Sequence, residues 1–113
     1  MGRSQKEKLF ERQGGVSTFT GKQLDMGQGR LEVHHIKERV DGGGNNLENL
    51  ELLPKEEHLL RHYLKWLDGK NPKEVRRREF DTATGRLRDL NDEELKTFYD
   101  LVEERTGVKI RFL

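Results

Sequence analysis

Apolar positions along the 113-residue chain come in short, spaced groups, and each group implies an element. Residues 4–13 predict a brief helix with little apolar face beyond Leu9 and Phe10, ended by Gly14-Gly15. Residues 16–20 read as extended, leading to a turn at Thr20-Gly21. The run Leu31-Glu32-Val33-His34-His35-Ile36 alternates as a half-buried strand does, with Leu31, Val33 and His35 on one face. A polar, glycine-rich loop spans 37–49, and residues 50–53 supply a second apolar strand. Loops of that length without structure are usually functional or disordered, so this one asks for an explanation.

A helix is predicted over 54–67. Pro54 suits its first position, where a missing N–H costs nothing, and Glu56 and Glu57 favour the positive end of the helix dipole. Leu60, Tyr63, Leu64 and Leu67 form its apolar stripe, and Asp68-Gly69 stops it. Asn71-Pro72-Lys73-Glu74 and Asn91-Asp92-Glu93-Glu94 look like two more helix starts, each an Asn cap with Glu three residues on. The second opens a helix with the stripe Leu95, Phe98, Tyr99, Val102 and a stop at Gly107. Residues 80–90 suggest a turn around Thr84-Gly85, and 108–113 read as a terminal strand. The expected fold class is α+β and helix-rich, in one domain.

Composition narrows the class. Apolar and aromatic residues make up 31% and charged residues 38%, so any core is small. Leu, Ile, Val and Phe still total roughly a quarter of the chain, and the net charge is +1, which argues against disorder. No apolar run approaches a membrane span, and no signal-peptide core follows Met1, so a cytoplasmic or otherwise intracellular protein without membrane contact is expected. With no cysteine there is neither a disulfide framework nor a thiolate metal site. The charge is unevenly spread: 59–88 is basic, including Arg76, Arg77 and Arg78, and 89–104 is strongly acidic. A basic block suits a polyanion, although charge alone more readily fits a solvated helix face.

All four histidines fall between positions 34 and 62. His58 and His62 stand four apart on the predicted helix and project from one face. His34 and His35, adjacent on a strand, point to opposite faces, so one can join the helical pair while the other looks elsewhere. Three imidazoles with an open position suit a catalytic metal, and a fourth kept off the ion could serve as a general base. A His pair of this spacing is by itself often a surface coincidence. The succession of His-His strand, glycine-rich loop, Asn-Leu and His-x-x-x-His helix is much harder to obtain by chance.

Glu32-Val33-His34-His35-Ile36, Gly42-Gly43, Asn49-Leu50 and His58-x-x-x-His62 together resemble the HNH endonuclease motif, the ββα-metal or His-Me finger nuclease site. The spacing from Asn49 through His58 to His62 is most similar to that of the DNA-degrading colicins. Arg12-Gln13-Gly14-Gly15 and Phe19-Thr20-Gly21 resemble the lead-in of other HNH proteins. The resemblance spans about half the chain, roughly residues 12–62. It implies a ββα-metal core with its lead-in, over 12–67; with the N-terminal helix before it and, from the helix signals alone, a helical extension over 68–113 ending in a short strand, a single nuclease domain is expected. Many family members brace the unit with a cysteine zinc knuckle; here Ser17 and Thr18 stand near the expected cysteine, and bracing by packing of the C-terminal helices is expected instead.

Carried over residue by residue, the resemblance implies that His34, His58 and His62 hold one divalent metal and that His35 is the general base. Asn49 would pin the 37–49 loop, and Glu32 would support the site. Arg30, Lys37, Arg39 and Arg61 are candidates for substrate phosphates by proximity alone. Three neutral imidazoles favour Mn²⁺, Ni²⁺, Co²⁺ or Zn²⁺, with Mg²⁺ as the alternative. The implied reaction is hydrolysis of double-stranded DNA, with little sequence specificity, leaving 5′-phosphate and 3′-hydroxyl ends. The competing reading is a non-catalytic nucleic-acid-binding module with a structural His-metal site. The acidic segment 89–104 is a candidate surface for an inhibitor or an assembly protein, set against packing on its own domain.

Overall fold

The computed structural model of the chain describes residues 4–28, 30–75 and 77–109, with the backbone alone described at 28, 77 and 82–84. Its elements are α+β: two short strands and four helices, in the order α1, β1, β2, α2, α3, α4. They fall into two compact units, Met1–Lys55 and Glu56–Leu113. Among the described residues no helix is long and apolar enough to cross a membrane.

The first unit opens with α1 (Gln5–Arg12), started by Ser4, whose hydroxyl accepts the Glu7 N–H at 3.2 Å. Strand β1 (Leu31–His35) pairs antiparallel with β2 (Leu50–Pro54), bringing Val33 opposite Leu52 and His34 opposite Glu51. Strand alternation then sorts the hairpin into two faces. Leu31, Leu50 and Leu52 join Leu9 and Leu24 in a buried cluster flanked by Phe10, Met26, Val33 and Leu47. Each leucine so buried contributes about 1.5–3 kcal/mol of transfer free energy. The other face carries Glu32, His34, Glu51 and Leu53.

Helix α1 braces this hairpin more than its thin apolar face suggested. Just after it, the Gln13 side chain acts as a surrogate strand residue. Its Nε2 donates to the Leu52 carbonyl at 3.0 Å, and its Oε1 accepts the Leu52 N–H at 2.7 Å. An edge backbone that would otherwise stay open is thereby paired.

The extended segment expected at 16–20 is confined to Val16, which bridges Gln23. The buried Ser17 hydroxyl accepts the N–H groups of Phe19 and Thr20, and this local bonding folds 18–20 into a turn. The 37–49 loop is not structureless either: it contains 3-10 turns at Arg39–Asp41 and Leu47–Asn49.

Helix α2 (Lys55–Trp66) starts one residue later than expected, because Pro54 closes β2 instead of opening the helix. From Glu56 on, the second unit gathers around aromatic rings. Tyr63 meets Phe80 edge-on at 4.8 Å and Phe98 edge-on at 5.9 Å, while Phe80 and Phe98 stack at 6.0 Å. Burial raises the Tyr63 phenol above its ordinary pKa. Leu59 and Glu57 are buried beside the expected Leu60, Tyr63 and Leu67, and Leu64 is only half-buried.

No helix starts at Asn71. Its side chain accepts the Lys73 N–H at 3.1 Å and its carbonyl the Glu74 N–H at 3.0 Å, closing a turn that competes with a helix. Helix α3 begins later, at Arg77–Thr84, and Gly85 in a left-handed conformation follows it. The start at Asn91 does hold: α4 (Asp92–Thr106) has a reciprocal capping box between Asn91 and Glu94 and ends at left-handed Gly107. Of the terminal strand expected at 108–113, Val108 and Lys109 are not in a strand, and 110–113 lie outside the described residues, as does Arg76 of the basic triplet.

Candidate metal centre and its surroundings

His34 sits on β1, on the hairpin face away from the leucine cluster, and His35 follows with the opposite facing. His58 and His62 lie one turn apart on α2, with ring centroids 4.7 Å apart and Nε2 atoms 3.1 Å apart. His34, His58 and His62, all half-buried, form a group whose ligand atoms lie within 4.8 Å of one another. Two nitrogens at about 2.0–2.1 Å from a shared ion would stand about 3–3.5 Å apart, so the helical pair has the separation a metal requires. Nitrogen ligands of this kind suit a borderline transition metal better than an oxygen-seeking one. The donor set fits a divalent ion.

His35 is engaged differently. Its Nε2 lies 2.9 Å from the side-chain Oδ1 of Asn45 in the glycine-rich loop. That loop is closed from its base by Asn49, whose Oδ1 accepts the Lys37 N–H at 2.8 Å. The Asn49 Nδ2 donates to the carbonyls of Lys37 (2.9 Å) and Gly44 (2.8 Å). Gly43 passes so close that a Cβ there would stand 1.9 Å from the Lys37 carbonyl oxygen. Only glycine lets the strand of loop through, which explains the Gly-Gly pair next to the site.

Glu32 lies two residues before His34 on the same face, half-buried opposite Leu53. Arg30 and Arg61 are half-buried, and Lys37 and Arg39 are exposed. Two site neighbours were not anticipated from sequence. Asn45 had only the glycine triplet before it as a cue. Glu51, the lone acid in the apolar run Leu50–Pro54, is 4% exposed and takes a 2.6 Å hydrogen bond from the Thr18 hydroxyl on Oε2. Its Oε1 is 3.9 Å from His34 Nε2. An acid placed by alternation on the His34 face was the signal available.

A two-stranded hairpin followed directly by a helix, with imidazoles from the first strand and the helix brought together, defines the ββα-metal class. Residues 21–63, which carry the four histidines and Asn49, match the family model of the HNH endonucleases. No curated protein and no solved structure matches the chain. The HNH family consists of nucleases that act on nucleic acid and typically use a divalent metal.

Proposed function

We propose that the chain is a metal-dependent endonuclease that hydrolyses phosphodiester bonds of double-stranded DNA. Residues 12–67 act as the nuclease core and 68–113 as a helical extension of the same domain. The observation that carries this reading is the division of labour among the histidines: three form one group, and His35, on the same strand, is held by the loop instead.

His34, His58 and His62 would hold the ion. When bound, it stabilises charge on the phosphoryl group and on the departing 3′-oxygen. The remaining work falls to the chain. Asn45 accepts the Nε2 proton of His35, which leaves Nδ1 with the lone pair that takes a proton from water. The deprotonated water attacks phosphorus in line, the P–O3′ bond breaks, the departing 3′-oxygen takes a proton from solvent, and the products carry 5′-phosphate and 3′-hydroxyl ends.

Asn49 positions His35 indirectly by closing the loop that carries Asn45, and Glu32 supports the strand face from which His34 projects. Arg30, Lys37, Arg39 and Arg61 supply cations to the backbone phosphates on either side of the cut, contacts that carry no base preference. Cleavage with low sequence specificity follows. The exposed acids Asp92, Glu93, Asp100, Glu103 and Glu104 leave one side of α4 for a protein partner, while Glu94, Phe98, Tyr99 and Val102 turn inward.

Incubation of supercoiled plasmid with the purified chain tests this reading across EDTA, Mg²⁺, Mn²⁺ and Ni²⁺. Nicked and linear products are expected with Mn²⁺ or Ni²⁺, less with Mg²⁺ and none with EDTA. Product ends should be ligatable without phosphorylation. Intact plasmid under every condition would reject it.

A further inference from the structure

The proposed site uses the imidazoles, yet a buried acid, Glu51, lies across the hairpin from one of them. A carboxylate only 4% exposed is expensive to desolvate unless it serves a charge nearby. Its position is fixed three ways. Backbone register sets it directly across the hairpin from His34. Alternation points both side chains to the face away from the leucine cluster, and they approach to 3.9 Å between Oε1 and Nε2. The other carboxylate oxygen takes the Thr18 hydroxyl at 2.6 Å, from the turn that Ser17 closes.

The geometry points to Glu51, anchored by Thr18, as a positioning residue that orients His34 and supplies the negative charge missing from a set of neutral ligands. This inference rests on the metal-site reading above and extends it to two residues. Three imidazoles leave a dication's charge uncompensated, and a carboxylate placed behind one ligand raises both the basicity of that ligand and the affinity for the ion. Because the carboxylate is buried, salt screens its effect much less than that of a surface acid. Thr18 thereby acquires a part in tuning the site, in a chain that has no cysteine knuckle to hold this turn.

Calorimetric titration of the metal-free protein with Ni²⁺ tests the inference without reference to cleavage. Glu51→Gln keeps the shape and removes the charge; Thr18→Val keeps the charge and removes its anchor. Glu48→Gln, at an exposed acid bonded to Asn46, is the control. The Ni²⁺ dissociation constant is expected to rise about 10- to 100-fold in Glu51→Gln. Thr18→Val should raise it about threefold or more, the worth of one hydrogen bond. Glu48→Gln should leave it within about twofold, and the differences should persist at high salt. Circular dichroism checks that each variant is folded; if Glu51→Gln is not, the comparison of Thr18→Val with Glu48→Gln decides. A Glu51→Gln or Thr18→Val protein that binds Ni²⁺ as the wild type does overturns this inference alone. A wild type that binds no Ni²⁺ overturns it together with the metal site.

Discussion

His35 and Asn45, ten positions apart in the sequence, are joined by a 2.9 Å contact between Nε2 and Oδ1. In the proposed mechanism this contact would keep the proton on Nε2 and leave Nδ1 to accept one. Replacing Asn45 with Ala should lower kcat about 10- to 100-fold, the usual cost of losing a partner that orients a site imidazole. Ni²⁺ affinity should not change. Asn45→Asp keeps an acceptor at the same place and should retain most of the activity. Equal kcat for wild type and Asn45→Ala would remove Asn45 from the mechanism.

Asn49 and Gly43 act one step further out. Asn49→Ala deletes three side-chain hydrogen bonds at the neck of the loop, and we expect a stability loss of about 1–2 kcal/mol in urea unfolding. Gly43→Ala drives a methyl group into the Lys37 carbonyl and should cost about 1–3 kcal/mol. In both variants amide exchange should accelerate across 37–49 first. Unchanged exchange there would mean that the loop is held by something else.

Much of this architecture was legible in the chain, and the failures have local causes. The strand alternation at 31–35, the four-residue spacing of His58 and His62 and the capping box at Asn91 all read correctly because each is a short-range rule. Asn71 carried the same cap signature as Asn91 but formed an Asx-type turn, since its side chain bonds two residues on rather than three. Pro54 was equally compatible with the end of an edge strand and the start of a helix. The roles of Asn45, Glu51 and Gln13 come from meetings between distant parts of the chain, which no local pattern encodes. For Glu51 the register was needed: only when β1 and β2 are paired does an acid in an apolar strand fall opposite His34.

Metal should contribute to stability as well as chemistry. Saturating Ni²⁺ at about 100 times its dissociation constant should add about 2.7 kcal/mol, and EDTA should reverse the gain. His62→Ala removes one of the three clustered imidazoles and should abolish most of the shift in melting temperature. A wild-type melting temperature indifferent to both Ni²⁺ and EDTA would speak against the His34–His58–His62 group as a metal site.

Within the second unit, Phe98 is fully buried against Tyr63 and Phe80. Phe98→Ala should cost about 3–5 kcal/mol through lost burial and the cavity left behind. Phe98→Leu should cost clearly less. Denaturant midpoints measure both, and a Phe98→Ala midpoint like that of the wild type would contradict the packing described.

In the proposed mechanism His35 serves the reaction and not the ion. Plasmid cleavage and Ni²⁺ binding should therefore be measured side by side on wild type and His35→Ala. Unchanged Ni²⁺ affinity is expected, with cleavage reduced about 10²- to 10⁴-fold, the contribution of a positioned general base. A His35→Ala protein that cuts DNA at the wild-type rate, or one that loses its metal, would contradict it.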